Sequence, residues 1–191
     1  GPSANFSVDS IAPTLVISGP SSTLTNTGPV TYTVTYTGAD SVTLANANIA
    51  LNATGTANGS IAVTGSGTAS RTVTISNITG FDGTLGITIA ANTAGDLAGN
   101  LAAGAGPSAT FVADNTAPTL VVSSPSSTLT NTGPVTYSVA YTGADSVTLE
   151  NTHITLNATG TATGTVAVSG AGTASWTVTI TSITGNGTLG I

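Results

Sequence analysis

The sequence predicts an all-β protein made of two tandem sandwiches, and three observations carry that prediction. The chain repeats itself: GPSANF at Gly1–Phe6 returns as GPSATF at Gly106–Phe111, TNTGPVTY at Thr25–Tyr32 returns at Thr130–Tyr137, and YTGADSVTL at Tyr36–Leu44 returns at Tyr141–Leu149. All three pairs share one offset, 106 − 1 = 105. Short runs alternate apolar residues with Thr, the period-2 pattern of a strand with one packed and one solvated face. No segment has a helical period, and Gly, Pro, Asn or Asp separates most of the runs, as turns require.

The repeat sets the architecture. Residues 1–80 aligned with 106–185 differ at 21 of 80 positions, so 59 match and the two copies must share one fold. A period of 105 residues is too long for a solenoid unit, which runs about 20–50 residues. It suits an immunoglobulin-like sandwich, which takes about 100 residues. The expected fold is therefore all-β, tandem immunoglobulin-like Greek-key β-sandwiches. The single length change falls where Phe81-Asp82 in the first copy meets Asn186 in the second, beside a Gly in each case, the mark of a surface turn.

Alternation and β-branching place strands in the first copy at Thr14–Ser18, Val30–Thr37, Ser41–Leu44, Asn48–Ala53, Ser60–Thr64, Arg71–Ser76, Thr84–Ala90 and Ser108–Val112. The clearest is Val30–Thr37. Its apolar set, Val30, Tyr32, Val34 and Tyr36, is unchanged in the second copy, while Thr33 and Thr35 drift to Ser138 and Ala140. One face is packed and the other wet. Ala90–Gly106 contains Ala but also four Gly, and it is expected to be a loop.

The phase of the copies divides the chain. Asp114–Pro118 is the expected joint, with repeat 1 at 9–113 and repeat 2 at 114–191. Ile191 aligns with Ile87, so repeat 2 lacks a counterpart of residues 88–113, the last strand included. Residues 1–8 match that last strand. They read either as the end of a preceding repeat in an array or as a donor strand that completes a neighbour's open sheet.

D-[SN]-x-AP-T-[LV] at Asp9–Leu15 and Asp114–Leu120, GPVTY, YTGADSVTL-x-N-x-x-I and GTLGITIAANTAGDLAGN at Gly83–Asn100 resemble the immunoglobulin-like repeats of large bacterial surface adhesins. The resemblance covers nearly the whole chain. It implies a sandwich of about seven strands per repeat and a stalk or spacer role at the bacterial cell surface or outside the cell. True-immunoglobulin hallmarks are missing: there is no Cys, and the one Trp, Trp176, stands where the first copy has Arg71.

Composition excludes several partners. Seven acids against one base give a net charge of −6, which cannot hold nucleic acid phosphates or an anionic membrane surface. Thr and Ser interrupt every apolar run, so no span is expected despite a mean hydropathy of +0.36. Without Lys, covalent Lys–Asn isopeptide locks are ruled out in this segment.

Of the candidate chemistry, the acidic residues stand out. Asp9 and Asp114 correspond, as do Asp40 and Asp145, while Asp96 and Asn100 belong to the D-x-AGN loop. Ca²⁺ takes six to eight oxygens of these kinds, and a joint Asp with a loop Asp would clip two domains. The same side chains also start turns by accepting backbone N–H groups, so both readings stand at this stage. His153 replaces Asn48 and Glu150 replaces Ala45, so neither belongs to a site shared by both repeats. Asn5, Asn52, Asn58, Asn77, Asn157 and Asn186 head Asn-x-Ser/Thr triplets, as chance dictates in a chain so rich in Thr. A Thr lattice for ice or sugar is disfavoured by sheet twist, and a sugar module would need exposed aromatics, for which Phe81 and Trp176 are the candidates. No nucleophile–base pair is legible, so catalysis is not expected. The leading expectation is a structural spacer or stalk of a secreted or surface protein, whose partners are neighbouring repeats or copies of itself, head to tail. A donor-strand-exchanged filament subunit and a carbohydrate-binding module are the alternatives.

Overall fold

The computed structural model describes residues 1–80 and 82–191. The chain is all-β, its sheets antiparallel apart from the parallel pairing of Leu24–Thr25 with Phe111–Ala113, and it divides into two compact units, Gly1–Thr116 and Ala117–Ile191. Among the described residues the helical elements are two 3-10 turns, Asn46–Asn48 and Asn151–His153. Among the described residues no helix is long and apolar enough to cross a membrane.

Unit 1 contains β1 (Thr14–Ile17), β2 (Leu24–Thr25), β3 (Val30–Thr37), β4 (Ser41–Val42), β5 (Ile49–Ala53), β6 (Asn58–Thr64), β7 (Ser70–Thr79), β8 (Gly83–Ile89), β9 (Ala94–Gly95) and β10 (Phe111–Ala113). One sheet has the order β1-β3-β7-β6 and the other β2-β10-β8-β5, with β4-β9 as a small separate pair. Side chains from both larger sheets form one core: Val30, Tyr32 and Val34 of β3, Val73 and Ile75 of β7, Leu85, Ile87 and Ile89 of β8, and Phe111 and Ala113 of β10. The alternation read in Val30–Thr37 is realised. Its apolar set is buried and its Thr set faces outward.

The chain changes sheets between β1 and β2, and serines bridge the gap. Beyond Ile17 the ladder to β3 continues through Ser18 N–H to Thr33 O and Ser21 N–H to Thr31 O, both 2.9 Å. The same serines' Oγ atoms accept the Thr33 and Thr31 N–H groups, again at 2.9 Å. Backbone groups that a departing strand would leave unpaired are thereby satisfied. Ser123 and Ser126 repeat the device on Ser138 and Thr136. Asn supplies edge protection that the absence of Lys would otherwise deny. Asn46 Oδ1 accepts Val63 N–H of edge strand β6 at 2.8 Å, and Asn151 does the same for Val168 at 2.7 Å.

Unit 2 contains β11 (Thr119–Val122), β12 (Val135–Thr142), β13 (Asn157–Ala158), β14 (Thr163–Gly170), β15 (Ser175–Thr184) and β16 (Leu189–Gly190). Its first sheet, β11-β12-β15-β14, copies that of unit 1 strand for strand, while its second is the pair β13-β16. The buried core is correspondingly small: Val135, Tyr137, Val139, Val178 and Ile180. The turn after the long hairpin is shared as well. Gly80 has φ +93 and Gly185 φ +83, and a Cβ at either would collide with the Thr56 or Thr161 carbonyl oxygen.

Most expected strands lie within one to three residues of the observed ones. β2 and β9 were not expected, each being two residues long. The expected strand Ser108–Val112 pairs only from Phe111, because Ser108 is spent differently. Its N–H reaches Ile87 O and its Oγ accepts Ile87 N–H, both at 2.9 Å. Residues 1–13 carry no strand, and Phe6, Val8 and Ile11 are exposed. Phe81 lies outside the described residues.

Candidate functional site

The D-x-AGN loop closes on itself and on the entry segment of unit 1. Asp96 Oδ1 accepts the Asn100 backbone N–H at 2.8 Å, and Asp96 Oδ2 accepts the Asn100 side-chain amide at 2.8 Å. The same amide donates to the Asp9 carbonyl at 3.1 Å. Asp40 Oδ2 accepts the Leu97 N–H at 3.0 Å, which ties the loop to the start of β4. Asp9 Oδ1 takes the Ile11 N–H at 3.0 Å, forming a turn. Four of the six candidate ligands are therefore brought together, with Asn100 as the bridge. The Asn100 amide beside Asp96 holds its carboxyl below the usual carboxylate range; desolvation opposes this, and the N–H groups of Asn100, Gly99 and Ala98 reinforce it.

This geometry suits capping better than calcium. A cation needs convergent oxygens, whereas here a proton-donating amide sits between the Asp96 carboxylate and the Asp9 carbonyl. Among the described residues no three Asp, Glu or His side chains gather as a metal-holding group. Asp114 repeats the Asp9 turn, accepting Thr116 N–H at 3.0 Å, and Asp145 is exposed in unit 2.

The exit segment is also held, by residues the sequence did not single out. Asn115 Nδ2 donates to Gly80 O at 2.6 Å, and the Thr116 hydroxyl lies 3.1 and 3.0 Å from the two Asp82 carboxylate oxygens. Asp82 belongs to the turn where the copies differ in length, and that difference was the available signal.

His153 and Trp176 have structural partners. His153 Nδ1 accepts the Glu150 N–H at 3.2 Å, the position Asn48 Oδ1 takes toward Ala45 at 2.9 Å. Arg71 is buried, and its guanidinium donates to the carbonyls of Gly67, Ser70 and Val42 at 2.8, 2.9 and 3.1 Å. Trp176 Nε1 donates to Gly172 O at 3.1 Å, and Gly172 is the counterpart of Gly67 (67 + 105 = 172). Two unlike side chains thus close the same hairpin. Sequence reasoning registered the replacement and missed the shared carbonyl.

Tyr32 holds the last strand of unit 1. Its hydroxyl donates to Ala109 O at 2.9 Å and lies 3.3 Å from Leu85 O. Burial pushes its pKa up, with Ser108 working the other way. In unit 2 the counterpart Tyr137 is left at 3.5 Å from Leu189 O.

Two grooves open on unit 2. One, of about 180 Å³, is lined by Leu129, Val135, Tyr137, Ile180, Ile183 and Leu189. The counterparts of five of these, Val30, Tyr32, Ile75, Ile78 and Leu85, are buried in one cluster with Phe111, while Leu24, the counterpart of Leu129, is exposed. The other, of about 210 Å³, includes Leu120, Val139, Tyr141 and Ile191. In unit 1 the corresponding Leu15, Val34, Tyr36 and Ile87 pack in a cluster that includes Ala94 and Ala102 of the β8–β10 connection. No family model matches the chain, and neither the curated proteins nor the solved structures yield a match.

Proposed function

We propose that the chain is a run of tandem immunoglobulin-like Greek-key sandwiches serving as a spacer or stalk in a secreted or cell-surface bacterial protein, joined head to tail. The observation that carries this reading is the repetition of one two-sheet unit without a repeated set of reactive side chains. The strand orders β1-β3-β7-β6 and β2-β10-β8-β5, with the first strand split between the sheets, support the immunoglobulin-like assignment.

The path of the chain through unit 1 supports the spacer role. The entry is clipped at Asp9 to the Asp96–Asn100 loop, near the Thr37 end of β3, where Thr14 pairs with Thr37. The exit is held at Asn115 and Thr116 by Gly80 and Asp82, beyond the Val30 end, where Val30 pairs with Ile75. Seven residue steps of β3 separate those ends, about 23 Å at the usual rise of a strand. A chain that enters at one end and leaves at the other adds length with each repeat. The outer Thr faces keep such a shaft wet without charge. Small-angle scattering of chains with two, three and four periods tests the reading. The maximum dimension grows by a constant increment per period if it is right. Growth of the radius of gyration as about the 0.38 power of length, the law of a compact globule, contradicts it.

A further inference from the structure

The sequence holds two Asn-Gly pairs, Asn58-Gly59 and Asn186-Gly187. Gly59 is required by packing. A Cβ on it would lie 2.8 Å from Ile75 Cγ2 and 3.3 Å from Ser76 O, and a Cβ on its counterpart Gly164 would lie 2.7 Å from Ile180 Cγ2. The neighbouring strand thus approaches too closely for a side chain in either repeat. The preceding position varies, and the counterpart of Asn58 is Thr163 (58 + 105 = 163). Glycine also leaves the Gly59 nitrogen unshielded by a side chain of its own. The ladder of β6 on β7 slips here: Asn58 pairs with Thr79 and Ser60 with Ser76, and Gly59 has no place in the register. Its N–H turns instead to the Asn58 side chain and donates to Oδ1 at 2.8 Å. Asn58 is exposed, so water reaches the pair. Asn186 is exposed as well, but among the described residues its side chain makes no such contact with Gly187. Its backbone N–H and C=O are tied to Thr161 at 3.0 and 2.9 Å.

We propose that Asn58 is a self-modifying residue, converted by the backbone of Gly59 into aspartate and isoaspartate. Asn58 Cγ lies one bond beyond Oδ1, and the last torsion of an Asn side chain is broad. A small turn of the amide brings Cγ in front of the Gly59 nitrogen, the near-attack placement in which reacting atoms stand about 3–3.5 Å apart. The Gly59 nitrogen gives its proton to hydroxide and bonds to Cγ, closing a cyclic succinimide. The Cγ–Nδ2 bond breaks, and Nδ2 takes a proton from water and leaves as ammonia. Water then opens the ring. Cleavage of the new bond to Cγ gives aspartate. Cleavage of the bond to the main-chain carbonyl gives isoaspartate, whose chain runs on through Cγ. The balance is amide plus water to acid plus ammonia, with no change of oxidation state. The product places an acid on edge strand β6, whose residues NGSIAVT carry no charge. Charge on an exposed edge discourages pairing with another chain. The second repeat, with Thr163, has no amide to lose at this place.

Peptide mass spectrometry of the 191-residue chain tests this. The chain is incubated at mildly alkaline pH, folded or in denaturant, then digested with pepsin in acid, and the aspartate and isoaspartate peptides are separated by chromatography. In denaturant the two Asn-Gly pairs should react at similar rates. In the folded chain Asn58 should react at least as fast as in denaturant and outpace Asn186 by about tenfold, a modest effect for the placement of reacting groups. Its rate should rise in proportion to hydroxide, and isoaspartate should be among the products. Thr163→Asn should install the same reaction in unit 2, where the ladder of β14 on β15 slips at the same place. That variant restores the residue pair of the first repeat, and circular dichroism shows whether it keeps its strands. A folded Asn58 that reacts more slowly than in denaturant overturns the proposal, because the strand then shields the amide. A folded Asn186 that reacts as fast as Asn58 overturns it as well, because the contact at Gly59 then adds nothing to the Asn-Gly sequence. A folded Thr163→Asn chain that stays unmodified at residue 163 does the same for the role of the slipped ladder.

Discussion

The Tyr32 hydroxyl donates to the Ala109 carbonyl at 2.9 Å and so joins the core of unit 1 to the chain entering its last strand. Tyr137 follows the same GPVT run, and its hydroxyl lies 3.5 Å from Leu189 O, its partner among the described residues. Tyr32→Phe should therefore lower the stability of unit 1 by about 1 kcal/mol, the net worth of an internal hydrogen bond. Tyr137→Phe should be close to neutral. Thermal unfolding of the two variants at low concentration measures both, and equal losses would contradict this division of roles.

The Asp96–Asn100 clip carries a pH signature. The folded Asp96 carboxyl lies below its ordinary value, so its contribution to stability is present above the unfolded value of about 3.9. It is lost as pH falls through the lower, folded value. Asp96→Asn should flatten the acid limb of the stability profile without improving stability at neutral pH. Chelator at matched ionic strength should leave the melting temperature unchanged. A fall in melting temperature on chelation would restore a cation to this loop.

Arg71 and Trp176 solve one problem with different chemistry. Arg71→Ala leaves the Gly67 and Val42 carbonyls without their donor and should cost about 1.5–3 kcal/mol, the range for hydrogen bonds to charged groups. Arg71→Trp should cost less, because an indole N–H reaches the same carbonyl in the second repeat. Chemical denaturation of both variants checks the order, and a reversed order would contradict it.

Ser18 and Ser21 satisfy the backbone where the first strand changes sheets. Ser18→Ala and Ser21→Ala should each destabilise unit 1 by about 1–3 kcal/mol, the cost of an unsatisfied donor, reduced where water reaches it. Hydrogen exchange at the Thr33 and Thr31 amides should rise in the matching variant. Unchanged protection would show that the side chains are dispensable there.

The sequence made some of these features plain and hid others. Val30–Thr37 is a strong signal because a buried face and a wet face leave opposite marks on alternate residues, and drift between the copies exposes them. The two-residue strands Leu24–Thr25 and Ala94–Gly95 have too little length to show a period. Ser18 and Ser21 read as loop polars, although they continue a ladder by side chain. Asp40, Asp96 and Asn100 were named as candidates, but their convergence with the Asp9 backbone depends on bringing residues 91 positions apart together (100 − 9 = 91). Asp82 and Thr116 meet through tertiary folding alone, and no local pattern announces such a pair.

The central claim is that each period of 105 residues is one two-sheet unit, closed by a strand of the Phe111 type. Calorimetry of a variant in which residues 88–113 are appended after Ile191 tests it most directly. The account predicts that unit 2 melts well below unit 1 without the appended residues and rises to meet it with them. A unit 2 transition that stays where it was would contradict the claim.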